Sequence, residues 1–338
     1  MAEAVIGAAP NEVVSSFKTK EGSLSFAYSN SDFLANSVGH VMAIPTRHIP
    51  LLTLRDIFRN PKPELVDFFK DRWKDVPWKG DVLVRIGHNS IFGDIQRLFA
   101  NDQIRGPLSL GKTESKALKS LQWLVRLLVL PSVVFSALQK KLFRGNYYNT
   151  LTNTVNIFHP NTAIGMHEIG HAEFYNQEKN RTLYALFGGL PIIRSFTEYK
   201  ASMLGIARMK NDAERLKATK VMEAMWGTYL MGDVIALALP FLAITPLTTA
   251  LVASKKFTLP FGPDVLKRLL EFGYTAGVMA GAAAGHILSR APYPGRRQRF
   301  GYVFEGKKVV PKPAFAPALS DRQMLVGMAR PQSHAMRR

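Results

Sequence analysis

The chain has 338 residues, enough to bury one large core or two ordinary ones. It contains no cysteine, which excludes disulfides, Cys-based zinc fingers and a thiol nucleophile, and leaves any metal to His, Asp or Glu. The formal net charge of +19 admits nucleic acid, anionic lipid or a merely basic tail as its explanation, and its distribution separates these. Eleven Lys/Arg stand against Glu305 and Asp321 between Arg290 and Arg338, directly after a long apolar stretch. That placement favours lipid, and with no nucleic-acid-binding signature in the chain no nucleic-acid partner is expected.

Met1 to Phe17 carries Glu3 and Glu12 and no basic residue, so neither a signal peptide nor a transit peptide is expected there. Ser23 to Ile57 reads as mixed and short-ranged, and His40 and His48 in it are weak ligand candidates. Leu65, Phe68, Phe69 and Trp73 recur at helical spacing and predict a short amphipathic helix over Glu64 to Trp73. Val82 to Ile86 reads as a strand ended by Gly87, and Ile91 to Phe99 as another short helix. Leu118 to Leu142 is apolar but interrupted by Arg126 and Pro131. Its longest charge-free apolar run, Leu127 to Leu138, is too short to cross roughly 30 Å of hydrocarbon. It reads as a helix lying on a membrane interface, with Trp123, Lys140, Lys141 and Arg144 at the headgroups, or as a buried core helix.

Alternation in Thr154-Val155-Asn156-Ile157-Phe158 predicts a short strand. His159-Pro160-Asn161-Thr162 ends it, and Asn161 or Thr162 can cap a helix running from about Ala163 to Glu178. This helix carries His167-Glu168-Ile169-Gly170-His171. Histidines four apart project from one helical face, where two imidazoles can grip one metal ion, with Glu168 at the edge of that face. Small residues at Gly170 and Ala172 let another element approach. A second helix is expected from Ser195 to about Lys210. Its Glu198, twenty-seven residues after His171, is the best third ligand, and Ser202, one turn later, is placed to hydrogen-bond a ligand histidine. Glu173, Glu178 and His159 are weaker candidates, and an ordinary Glu198–Arg194 helix pair is the plainer alternative. Leu183 to Ile193 lies between the two helices as a charge-free loop, directed at lipid or packed beneath the site.

The string Tyr148-Asn149, Thr152-Asn153-Thr154, His167-Glu168-Ile169-Gly170-His171-Ala172 and Glu198-Tyr199-Lys200-Ala201-Ser202 resembles the gluzincin type of zinc metallopeptidase, including membrane-associated members. The resemblance covers Tyr147 to Arg208. It departs at Ser202, where an Asp is common. It implies a zincin-like catalytic region that hydrolyses peptide or protein substrates, with Zn²⁺ on His167, His171 and Glu198 and Glu168 as general base. Tyr175, Tyr184, Tyr199 and His159 are the candidate oxyanion donors, and the strand Thr152 to Phe158 would pair, as an edge strand, with an extended substrate.

Val234 to Ala253 is charge-free and long enough to span a bilayer, and a pair of short buried helices is its alternative. Phe272 to Ser289 repeats Gly273, Gly277, Gly281 and Gly285 on one helical face, a ridge suited to close helix packing in lipid, within the chain or in a homo-oligomer. His286, near its end, is expected to be interfacial. Two spans return the chain to its starting side, and the basic tail then places the catalytic region in the cytoplasm. The expected organisation is mainly α (α+β): 1–117 mixed, 118–225 metallopeptidase-like with a short strand before the zinc helix, 226–290 two transmembrane helices, and 291–338 a basic, extended or disordered tail. The rival reading is a non-enzymatic membrane protein assembled through the glycine ridge, with a structural or vestigial zinc site.

Overall fold

A computed structural model describes residues 5–9, 12–30, 60–109, 116–143, 145–179, 181–188, 190–223 and 225–226, together with strands in 296–311. The two expected spans, the glycine ridge, His40, His48 and His286 lie outside the described residues. The elements in order are β1 (Val13–Lys18), β2 (Ser23–Tyr28), α1 (Glu64–Trp73), β3 (Asp81–Ile86), α2 (Ile91–Phe99), α3 (Lys116–Phe143), β4 (Tyr147–Asn149), β5 (Thr154–Ile157), α4 (Thr162–Gln177), α5 (Arg181–Phe187) and α6 (Pro191–Ala207). A helical stretch at 212–223 follows.

This is a mixed α/β structure, with more sheet than the two short strands expected at Val82–Ile86 and before the metal-site helix. The five strands run β1-β2-β3-β5-β4; the central pairs β2–β3 and β3–β5 are parallel and both outer pairs antiparallel. One sheet therefore joins strands from either side of residue 117. Strand alternation sends Leu24, Phe26, Val82, Val84, Ile86, Val155 and Ile157 to one face. There they form the main core with Phe69 and Trp73 of α1, Met166, Ile169 and Ala172 of α4, and Ile206 of α6. The opposite face is polar and equally dry. Arg85 of β3 pairs with Asp94 of α2 at 2.7 Å, both fully buried. Arg97 of α2 donates to the Thr152 and Asn153 carbonyls, and burial lowers its pKa to about 9.

Three expectations change. Pro131 does not break the apolar stretch: α3 runs unbroken through it for 28 residues. Among the described residues, one helix, Lys119–Gln139, is long and apolar enough to cross a membrane. Proline removes one N–H and crowds the preceding turn, which a long helix absorbs. Second, residues expected as a charge-free loop after α4 form α5 and the start of α6. Third, the basic tail contains an antiparallel meander, β6 (Arg296–Arg299), β7 (Tyr302–Glu305) and β8 (Lys308–Pro311). Tyr302-Val303-Phe304 and Val309-Val310 supply the β-forming residues that prolines elsewhere in the tail obscured.

Candidate metal centre

The centre is built on the contact of α4 with α6. Asn161 caps α4 by accepting from the Ala163 N–H at 3.0 Å. A β-carbon at Gly170 would lie 2.3 Å from the Ala201 carbonyl oxygen, so only glycine permits this approach of the two backbones. Gly205 lies in the same way against the Met166 carbonyl. Rising numbers on α4 thus meet falling numbers on α6, and the antiparallel register sets Glu198 opposite both histidines.

Glu198 Oε2 lies 2.9 Å from His167 Nε2 and 3.3 Å from His171 Nε2. The two rings meet edge to face with centroids 4.7 Å apart. One ligand atom from each of the three residues falls within 4.8 Å of the others, so the group could hold a metal ion. His167 Nδ1 lies 3.0 Å from the Ser202 hydroxyl. That hydroxyl can donate to a bare Nδ1 or accept from Nδ1–H, so it serves either tautomer of the ring. His171 Nδ1 has no hydrogen-bond partner among the described residues. Its ring is held instead by Tyr148 of β4, stacked at 6.3 Å between centroids and 8° between planes.

Charge is shared across the group. Burial acts to raise the Glu198 carboxyl, but the two imidazoles outweigh it and hold it well below the usual carboxylate range. Burial acts to lower His171, but the charge and hydrogen bond of Glu198, with a further contribution from Glu168, raise it. Glu168 is itself buried. Among the described residues its carboxylate has no hydrogen-bonding or ion-pairing partner, unlike the other acidic side chain of α4. Glu173 is tied to Arg208 and to Gln177.

The remaining candidates fall elsewhere. Glu173 is used by its Arg208 pair, Glu178 caps the end of α4, and the His159 Nδ1 accepts from the Asn161 N–H. Glu198 belongs to the histidines rather than to Arg194. Of the four proposed donors, Tyr175 senses the Glu198 charge, and its hydroxyl donates to the Tyr184 carbonyl at 3.3 Å. Burial pushes its hydroxyl well above the ordinary tyrosine value, offset in part by a hydrogen bond with Thr197, and the Glu198 charge adds to the rise. Tyr184 packs on Phe196 and Tyr199 on Trp226.

Strand β5 is not an edge. It lies between β3 and β4, and β4 takes the edge position beside the site. Sequence reading missed the part played by Tyr148 and the network that fixes it. Asn153, in the left-handed region at φ 52°, accepts from the Tyr148 hydroxyl at 2.8 Å and from Asn176 of α4 at 3.2 Å. Asn is one of the few residues at ease in that conformation, which was the available signal.

No protein-family model matches the chain, and no curated protein or solved structure matches it either. The gluzincin resemblance stands on the residues of the site alone.

Proposed function

We propose that the protein is a membrane-associated, zinc-dependent peptidase that holds its metal on His167, His171 and Glu198. Two imidazole nitrogens and one carboxylate are a donor set suited to zinc, and they leave a coordination position open. One observation carries the reading: both histidine Nε2 atoms converge on a single oxygen of Glu198, beside a Glu168 carboxylate that nothing else in the described protein engages. A structural carboxylate would have a partner, as Glu173 does. A general base must be left without one.

When bound, zinc supplies a Lewis acid that acidifies water and polarises a carbonyl. The chain's own residues do the rest. Glu168 takes the proton of the attacking water and delivers it to the departing amine. Tyr175 stays protonated, and its O–H, which donates at rest to the Tyr184 carbonyl at 3.3 Å, turns to the developing oxyanion. Ser202 and Tyr148 fix the two imidazoles. The outer edge of β4, which carries Tyr148, supports an extended peptide backbone next to His171 by strand addition. Membrane association is supported by the length and apolar character of Lys119–Gln139 and by the charge-free runs 234–253 and 272–289.

The test is hydrolysis of an unfolded protein substrate by wild type and Glu168→Gln, both with zinc content measured. Loss of a base lowers the rate about 10²–10⁴-fold while zinc is retained. Undiminished cleavage by Glu168→Gln rules out the assigned base. Zinc bound by a wild type that cleaves nothing favours the structural site of the rival reading.

A further inference from the structure

Helix α3 is built inside out. Its stripe against the protein is Gln122, Arg126, Val133 and Ala137, all buried. Arg126 pairs with Asp102 at 2.6 Å and donates to the Phe99 carbonyl, and Gln122 donates to the Leu108 carbonyl at 3.1 Å. The outer surface carries Leu121, Trp123, Leu124, Leu127, Leu128, Phe135 and Leu138, with Leu128 70% and Phe135 68% exposed. A helix on a water-facing surface shows the opposite pattern. Helix α5 repeats the exposure at Leu183, Leu186 and Phe187, continued by Leu190 and Phe196.

Both helices are pinned to one turn. The residues that hold α3, Asp102 and Leu108, bracket those that hold α5: Thr182 donates to the Pro107 carbonyl at 2.7 Å and Arg181 to that of Arg105 at 3.1 Å. The two apolar surfaces therefore border the same 102–108 segment. The chain in these two stretches carries charge of one sign. No Asp or Glu occurs between Glu114 and Glu168, where Lys116, Lys119, Lys140, Lys141 and Arg144 fall, nor between Glu178 and Glu198, where Lys179, Arg181 and Arg194 fall.

From this we propose that α3 and α5 form one docking face for an anionic lipid surface, with α3 lying in the plane of the interface and not crossing it. The one-signed charge of these stretches selects the occupant, since a second copy would set like charge against like, whereas anionic headgroups complement it. The in-plane orientation follows from the anchoring. From Gln122 to Ala137, roughly 22 Å of helix at 1.5 Å per residue, α3 runs beside α2, held at one end by Asp102 and at the other by the Asn89 amide on the Ala137 carbonyl. A crossing α3 would carry the exposed Gln96, Asp102 and Gln103 into hydrocarbon with it, at high cost. The face also adjoins the metal centre, because Tyr184 of α5 packs on Tyr175, which neighbours Glu198. The proposal needs no metal and does not depend on the catalytic reading. Combined with that reading, it makes peptides at a lipid surface the substrates.

The absence of native cysteine allows a clean test in the full chain. Single cysteines at Leu124, Leu128, Phe135, Leu138 and Leu186, with Lys79 as a water-facing control, carry nitroxide labels after reconstitution into phosphatidylcholine vesicles containing phosphatidylglycerol. Collision with oxygen and with a water-soluble nickel chelate reports depth. The expected result is one shallow depth, about 5–10 Å below the headgroups, at all four α3 positions and at Leu186, with Lys79 in water. A depth that rises to a maximum in mid-helix and falls towards both ends overturns the proposal in favour of a crossing helix. Poor access to both reagents overturns it in favour of a protein cover, from 234–289 or a second copy.

Discussion

Helices α3 and α4 both defy the usual pattern of a polar outer face and an apolar inner one, and they do so in opposite ways. Helix α4 is buried on every side, with His167, Glu168, His171, Glu173 and Asn176 inside a protein core. Helix α3 buries Gln122 and Arg126 and exposes large apolar side chains such as Leu124, Leu128 and Phe135. In α4 the buried histidines converge on Glu198, Glu173 and Asn176 are paired with Arg208 and Asn153, and Glu168 alone of these has no hydrogen-bonding partner among the described residues. In α3 the buried polar groups, Gln122 and Arg126, anchor the helix to Leu108 and Asp102, and large apolar side chains lie on the outside. A helix's pattern thus reports what packs on it, and the two departures from the rule have different causes.

The largest predicted difference tests that contrast directly. Ile169→Ala on α4 should cost about 2–5 kcal/mol of stability, because it opens a cavity in close-packed surroundings. Leu128→Ala on α3 should change stability in aqueous or mild detergent solution by no more than about 0.5 kcal/mol, because little is packed on it. Denaturant titration of both variants measures the pair, and equal losses would show that α3 is covered by protein.

A smaller effect separates the two histidines of α4. Ser202→Ala removes the partner of His167 Nδ1 and should weaken zinc binding about 10–100-fold. Tyr148→Phe keeps the ring stacked on His171 and loses only the hydroxyl bond to Asn153, so its zinc affinity should stay close to wild type. Competition with a chromogenic chelator reads both, and a Tyr148→Phe loss as large as that of Ser202→Ala would mean that the stack is not what orients His171.

The pH dependence of the metal-free protein is the smallest effect and has a definite sign. Glu198 is depressed, so its contribution is present above the ordinary carboxyl value and is lost only as pH falls through its low folded value. His171 is raised, so its contribution is full below the ordinary imidazole value near 6.5 and is lost as pH climbs through its raised one. Thermal unfolding in chelator should therefore show stability declining above about pH 6.5, and His171→Gln should flatten that decline. Zinc reverses the trend, since it binds neutral imidazole and displaces protons. A metal-free Tm that rises steadily with pH would contradict this coupling.

Much of this was legible in the chain. The short elements Glu64–Trp73 and Ile91–Phe99 were readable because side-chain period sets them locally. The site was readable for a similar reason: His167 and His171 share a face by spacing, and Glu198 and Ser202 share one a helix later. What could not be read depends on partners distant in sequence. The parallel pairing of β3 with β5 places β4, not β5, at the edge. The buried Arg85–Asp94 pair and the pairing of buried Arg126 with exposed Asp102 have no periodic signature. Pro131 suggested a break because a local rule was applied to a helix whose ends are held by tertiary contacts.

The central claim is that His167, His171 and Glu198 form a three-ligand zinc site. Zinc content of the purified full chain against Glu198→Ala, by mass spectrometry after exhaustive dialysis, tests it most directly. The account predicts stoichiometric zinc in the wild type and its loss in the variant. Zinc retained unchanged by Glu198→Ala would contradict the ligand set.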